Sequence, residues 1–350
     1  MPKKRSRRRK ATKKKKVKRP KSLFNTPSDH ADPTVLADFA ELSALRQDRR
    51  QASDREITSA LERLSEGDED TLERPVGDAL QELIARALHL GESARERYPF
   101  EFEADVLKLR KPYPQEDKEF LYLFLLLATR LNMKNDRRHA SLDGAELFEY
   151  LSLEVAKRYW GGLKDMRVNG LVFGTARLNR DADDNDQINA ASFSAAVSQL
   201  SDAMREGNGY KAKDPPPIKA RDAKLDLAVW RDFADQCSLK KVDPLRHRHG
   251  KLIGFGQCKT GNTWLGEVEK LQPEKFCDDW FQDSPLVKPV KLFFVSDRFL
   301  RPWHEKTRGM IFFDRCRILE YADDIPAKLV TKCANWTRTV LKKHKITWWE

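Results

Sequence analysis

Lys224-Leu225-Asp226-Leu227-Ala228-Val229-Trp230, followed by Leu252-Ile253-Gly254-Phe255-Gly256-Gln257-Cys258-Lys259, is the stretch that decides how this chain folds. Each half is an apolar run of strand length bounded by polar or charged residues. The first carries a single acid, Asp226, among Leu225, Leu227 and Val229. A carboxylate buried there alone is costly, so it is expected to have a partner. The second ends in Gln-x-Lys, and residues two apart on a strand share a face, so Gln257 and Lys259 are expected to point the same way. Hydrolysis of a phosphodiester needs a divalent cation that polarises the phosphoryl oxygen and lowers the pKa of an attacking water. Hard cations such as Mg²⁺ or Mn²⁺ take oxygen ligands. Asp226 offers a carboxylate, Gln257 an amide oxygen and Cys258 its main-chain carbonyl, while Lys259 can stabilise developing negative charge.

Outward from this pair the pattern stays mixed. Gly144 to Trp160 reads as a helix ended by Gly161-Gly162, residues 167–176 as a strand or extended loop, and residues 190–205 as a helix stopped by Gly207 and Gly209. A polar connector with Pro215-Pro216-Pro217 leads to the first strand of the pair. Beyond the second come a helix over 264–282, a strand over 289–296, a strand over 309–314 running on to Tyr321, and a helix over 325–343. That order predicts an α/β unit, a mixed β-sheet flanked by helices, over residues 141–350.

The amino-terminal part reads differently. Leu36, Phe39, Leu42 and Leu45, then Ile57, Leu61 and Leu64, then Val76 to Leu88 after Pro75, recur at helical spacing. Residues 116–131 have an apolar surface too wide for an exposed amphipathic helix and are expected to be buried. Residues 33–140 are therefore expected to form an all-α domain without chemistry of its own, one that binds a partner or regulates the rest.

Charge is concentrated at one end. The net charge is +12, yet residues 1–21 hold fourteen Lys or Arg and no acid, leaving 52 basic against 54 acidic residues elsewhere. Residues 1–32 thus read as a disordered basic tail, suited to binding phosphate backbones without sequence preference or to serving as a nuclear address. Five widely spaced cysteines without a CxxC pair suit reduced thiols rather than a disulfide framework or zinc ribbon. No apolar run is long enough to span a bilayer and no secretory signal core stands at the start, so a cytoplasmic setting without membrane contact is expected. No Gly-rich phosphate loop is present, which argues against ATP binding. Lys240, Lys241, Arg246 and Arg248, between the two strands of the pair, suit a polyanionic substrate such as DNA. His247-x-His249 in that loop lacks a Cys or carboxylate to complete a zinc set.

From Ser141 onward the chain resembles the PD-(D/E)xK restriction-endonuclease-like superfamily, in its Mrr-type branch with Gln-x-Lys. The resemblance spans about 200 residues, in the family's order: Gly144-Ala145-Glu146-Leu147-Phe148-Glu149, then Asp226, then Gln257-Cys258-Lys259, then Val290 to Ser296-Asp297-Arg298, then Ile311-Phe312-Phe313-Asp314 with Leu319. It implies a restriction-endonuclease-like sheet and Mg²⁺- or Mn²⁺-dependent DNA cleavage. It also implies a metal held by Glu149, Asp226, Gln257 and the Cys258 carbonyl, with Lys259 acting at the water. Glu146 competes with Glu149 as the helix-borne carboxylate. The chain departs from the family in three places: no Pro precedes Asp226, the interval from Asp226 to Gln257 is long, and Arg315 stands where Gly is common. Relatives serve in restriction and antiphage defence, so a bacterial effector nuclease with a protein partner, in a complex or as a homo-oligomer, is the expected context. The alternative is a catalytically degenerate nuclease-fold subunit that binds DNA or scaffolds a complex.

Overall fold

A computed structural model describes residue 27 and residues 31–62, 70–90, 97–103, 106–161, 168–173, 192–212, 223–232, 250–300 and 305–350. Helix α1 (Pro33–Arg46) opens on Asp32, whose carboxylate accepts the Thr34 N–H, and Leu36, Leu42 and Leu45 of its apolar stripe are buried while Phe39 is partly buried. Strand β1 (Gln51–Ser53), helix α2 (Asp54–Glu62) and helix α3 (Asp70–His89) follow. Pro75 lies inside α3 rather than at its start.

The expectation of an all-α amino-terminal domain is corrected here. Strands β2 (Phe100–Glu103) and β3 (Val106–Leu109) pair antiparallel, and β1 adds to β3 to make a three-stranded sheet. The local sequence explains it: Phe100-Glu101-Phe102-Glu103 alternates with period two, and its glutamates are exposed while Phe100 is buried. Helical periodicity on both sides masks this short alternation.

A 3₁₀ turn (Asp117–Phe120) leads into helix α4 (Leu121–Arg130), which is buried from Leu121 through Thr129, as its all-round apolarity requires. A single turn of helix, α5 (Met133–Asp136), and a short hairpin, β4 (Arg138–His139) with β5 (Leu142–Asp143), precede helix α6 (Gly144–Gly161). The Asp143 carboxylate accepts the N–H groups of Ala145 and Glu146 at the start of α6 and pairs with Arg137 and Arg138.

The main sheet has the order β10-β9-β8-β7-β6. Its strands are β6 (Val168–Val172), β7 (Leu227–Arg231), β8 (Leu252–Lys259), β9 (Val290–Val295) and β10 (Met310–Phe313). Strand β7 runs antiparallel to both β6 and β8, whereas β8, β9 and β10 are mutually parallel. The parallel pairing of β8 with β9 needs a crossover, which helix α8 (Pro273–Trp280) supplies.

Helices cover both faces. Leu227, Val229, Cys258, Leu292 and Phe294 share one core with α6, α4, α1 and helix α10 (Ala327–Lys343). Leu171, Ala228, Trp230, Ile253 and Phe255 pack on helix α7 (Phe193–Met204) and on α8. A third group, Phe293, Val295, Trp264 and Val268, completes the second face beside β9. The first core runs from Leu36 to Ile346, so the amino-terminal helices and the α/β sheet bury their apolar surfaces together.

Two further expectations are corrected. The helix expected over 264–282 is a 3₁₀ turn (Trp264–Gly266) and then α8, because Pro273 starts a new helix at its first position. The strand expected to reach Tyr321 stops at Phe313. Asp314 accepts the Arg317 N–H and caps helix α9 (Arg315–Glu320). At the carboxyl terminus Trp348 stacks on Phe120, 6.4 Å between centroids, and donates to the Pro114 carbonyl, while Trp349 meets Phe120 edge-on at 5.9 Å, so both tryptophans dock on the chain itself. Among the described residues no helix is long and apolar enough to cross a membrane.

Candidate active site

Strands β7 and β8 lie side by side, and the residues singled out in sequence gather at one end of that pair. Asp226 stands just before β7. Its N–H donates to the Gly256 carbonyl of β8, while its own carbonyl accepts the Phe173 N–H on the β6 side. In a regular antiparallel strand both main-chain groups of a residue face one neighbour. Here they are split, and Asp226 and Leu227 together oppose Gly256, which is a β-bulge. Leu225 and Ala228 both join the core on the α7 side, so the bulge turns Asp226 and Leu227 to the α6 side together. Bulges re-aim side chains in this way beside active sites.

The Asp226 carboxylate has the partner its surroundings demand: Oδ2 accepts the Cys258 N–H at 2.7 Å. In an antiparallel pair the N–H and C=O of one residue point to the same side, so the Cys258 carbonyl is directed toward Asp226 as well. Gly256 leaves room for this approach, since a Cβ there would meet the Leu227 side chain at 2.6 Å.

Helix α6 supplies Glu149 to the same side. Phe148 and Leu151 anchor the helix in the core, and Ser152 donates back to the Phe148 carbonyl. The Glu149 Oε2 atom is buried. The Cys258 thiol senses the whole group: burial pushes it well above the ordinary thiol range, and the negative charges of Asp226 and Glu149 push it further, against the neighbouring Ser152 hydroxyl and the positive charge of Lys259. Glu146, the competing carboxylate, lines a cleft between α6 and the start of α10 with Tyr150, Lys328 and Lys332, and Glu149 does not line that cleft.

Gln257 and Lys259 do point the same way, as strand alternation predicts, but to the opposite side of the sheet. Their partners in register are Phe293 and Val295, which pack with Trp264 and Val268. Gln257 is fully buried, and neither atom of its amide has a hydrogen-bond partner among the described residues. Leaving such a group unsatisfied costs about 1–3 kcal/mol. Lys259 Nζ lies 3.9 Å from Glu267 Oε2, with both side chains partly exposed. Glu267 is held below its usual range by its hydrogen bond to Lys270, by Lys259 and by Lys224.

The structure thus brings Asp226, Glu149 and Cys258 together on the α6 side, and Gln257, Lys259 and Glu267 on the other, with the Gln257–Cys258–Lys259 backbone between them. Sequence reading missed Glu267 because it was absorbed into an expected helix. Its only signal is proximity in sequence to the Gln-x-Lys strand. Lys240, Lys241, Arg246 and Arg248 lie outside the described residues, as does the basic tail up to residue 26. Among the described residues no three His, Cys, Asp or Glu side chains form a metal-binding group; the donors here are two carboxylates, an amide and a carbonyl.

The burial of Cys258 makes a chemical expectation. Iodoacetamide at pH 8 should leave Cys258 unmodified in the folded protein and alkylate it readily in denaturant. Peptide mass mapping reads both states, and native-state modification at the rate of a free thiol would contradict the packing described.

Compared with known proteins, the chain matches no family model, no curated protein and no solved structure.

Proposed function

We propose that this chain is a metal-dependent DNA endonuclease of restriction-endonuclease-like build, acting as the nuclease subunit of a bacterial antiphage defence or restriction system. The observation that carries this reading is the end of β8. There a buried Gln257 amide, without a hydrogen-bond partner among the described residues, adjoins the peptide whose N–H binds the bulge-borne Asp226. The motif-bearing elements follow one another along the chain as α6, β6, α7, β7, β8, α8, β9 and β10, which supports the resemblance on which this reading rests.

Glu149, Asp226 and the Cys258 carbonyl, hard oxygen donors on one face, would hold Mg²⁺ or Mn²⁺, whereas Gln257, expected from sequence to join them, turns its amide to the opposite face and stands outside this set. The ion supplies Lewis acidity and a more acidic water. The chain's own contribution is orientation and charge. The bulge presents Asp226, α6 brings Glu149 into the same low-dielectric surroundings, and Lys259 offers a positive charge to the phosphate. DNA would be drawn by the basic residues 240–248 and by the tail, and a protein partner would dock on the amino-terminal helices. A cytoplasmic setting belongs to this reading.

One observation favours the second reading, a catalytically degenerate nuclease-fold subunit that binds DNA or scaffolds a complex. Lys259 is engaged by Glu267 on the face of the sheet opposite Asp226. The deciding experiment incubates supercoiled plasmid with the protein and Mg²⁺ or Mn²⁺, beside Asp226→Ala and Lys259→Ala. Parent cleavage is expected, with either variant slowed about a hundred- to a thousand-fold, as when an electrostatic contact at the reacting group is lost. Plasmid left whole by the parent with both metals sinks the enzyme reading. Variants that cut like the parent sink the site assignment instead.

A further inference from the structure

We infer that the amino-terminal helices are a built-in positioning element for the candidate catalytic strand, acting through Thr129 and Arg315 on the end of β8 that bears Lys259. The functional part of this inference rests on the nuclease reading, whereas its structural part stands without it.

The contacts run in one continuous path. Arg315, at the start of α9, is fully buried. Its guanidinium grips both carboxylate oxygens of Asp38 on α1, at 2.8 and 2.9 Å. The same group donates to Thr129 Oγ1 on α4 at 3.2 Å and, through Nε, to the Ser296 carbonyl at 3.0 Å. The hydroxyls of Thr129 and Ser296 lie 3.0 Å apart in a buried hydrogen bond. Ser296 in turn donates its N–H to the Lys259 carbonyl at 3.2 Å, and one step along α4 the Ala128 carbonyl accepts the Gly261 N–H at 3.1 Å. The peptide groups at Lys259 and Gly261 are therefore tied on both sides of residue 260, directly or through Ser296, to residues 128 and 129 of one helix.

Ordinary core packing would join the two parts of the chain through apolar side chains, which slide and repack at modest cost. A buried polar path differs because each member has one satisfied geometry, and a half-satisfied network is costly. Gly261 has φ +84°, a conformation open to glycine, so the turn after Lys259 is conformationally permissive and gains its definition from the Ala128 carbonyl. Lys259 also begins its side chain at the last residue of β8, where strand pairing ends. What holds its Cα is thus the Ser296 N–H on one side and the Gly261 tether on the other. Thr129 and Arg315 are positioning residues, because their side chains reach Lys259 only through Ser296 among the hydrogen bonds of the described residues.

The test uses the full chain with Thr129→Val, which keeps size and removes the hydroxyl, and Thr129→Ser, which restores it. Amide hydrogen exchange of residues 257–262 and of residues 228–231 is followed together with plasmid cleavage. Thr129→Val is expected to accelerate exchange over 257–262 about ten-fold or more through local opening, with residues 228–231 unchanged. Turnover should fall about ten- to a hundred-fold at unchanged DNA affinity, the usual consequence of a small misplacement. Thr129→Ser should return both readouts to the parent's values. Exchange over 257–262 unaltered by Thr129→Val overturns the inference, as does an equal rise over 228–231, which would mark a general loss of stability. If Thr129→Val fails to fold, Ser296→Ala cuts the same path one residue later and is read in the same way. A parent that leaves DNA intact refutes the nuclease reading alone, since the exchange result still decides whether the helices position the strand end.

Discussion

Asp38→Asn is expected to cost about 3–5 kcal/mol of folding stability, enough to leave the chain partly unfolded at physiological temperature. Asp38 is fully buried and receives three guanidinium groups: Arg86 at 2.6 Å, Arg130 at 2.5 Å and Arg315 at 2.8 and 2.9 Å. Burial by itself would raise its carboxyl, but the charges of Arg130, Arg315 and Arg86 outweigh it and hold the group well below the usual range. Removing that one negative charge leaves the buried Arg86 and Arg315 and the mostly buried Arg130 with Glu41, Glu82 and Asp297 as the nearest compensation. Glu41 is itself pushed up by burial and by the charge of Asp38, although Arg86, Arg315 and the Tyr122 hydroxyl favour its ionised form.

The pH dependence has a definite sign. A carboxyl whose native pKa is depressed stabilises the fold above its unfolded value, near pH 4, and loses that contribution as pH falls through the native value. Asp297, raised chiefly by burial, works in the opposite direction, favouring the fold as it protonates. The parent's resistance to urea should therefore fall below about pH 4, whereas the same curve for Asp38→Asn should start lower and lose Asp38's share of that slope. An Asp38→Asn midpoint equal to the parent's at pH 7 would refute the role assigned to the cluster.

The second large effect is expected at Trp336. Its side chain is fully buried in α10, meets Phe124 edge-on with centroids 5.3 Å apart, and donates Nε1 to the Arg137 carbonyl at 2.9 Å. Gly144, the first residue of α6, exists to admit it: a Cβ there would meet the indole at 2.6 Å. Trp336→Ala should cost about 3–5 kcal/mol for the cavity alone. Because the indole fills the junction of α4, α6 and α10, the loss should be felt at Glu149, five residues along α6 from Gly144. Gly144→Val tests the same junction from the other side by overfilling it. Thermal unfolding should show both variants well below the parent, and Gly144→Val indistinguishable from the parent would mean that the close approach is not enforced.

The main sheet was largely legible because its strands are uniform apolar runs separated by turn formers, so Asp226 and Gln257-x-Lys259 could be placed on neighbouring strands from spacing alone. The period-two alternation that orients Gln257 and Lys259 together is equally local. The three-stranded sheet of β1, β2 and β3 was missed because four-residue strands between long helical patterns carry little periodicity. The break at Pro273 and the cap at Asp314 were readable signals overridden by continuing apolar runs on either side.

The candidate site divides along the same line. Backbone hydrogen bonding at Asp226 splits between β6 and β8, and no property of Leu225-Asp226-Leu227 announces a bulge. Yet that bulge determines which face the carboxylate takes. The role of Arg315 was likewise hidden, since a lone arginine after Asp314 reads as a solvated surface residue until Asp38, 277 positions away, is seen against it.

By itself, the sequence determined the strands of the main sheet, the helix that carries Glu149, and the residue types gathered at the end of β8, because these follow from short-range periodicity and side-chain chemistry. Only the tertiary structure decided that Asp226 and Lys259 leave opposite faces of the sheet and that the amino-terminal helices reach the end of β8. Both depend on long-range hydrogen bonds and a shared core, whose partners are set by folding in three dimensions and leave no local pattern in the chain.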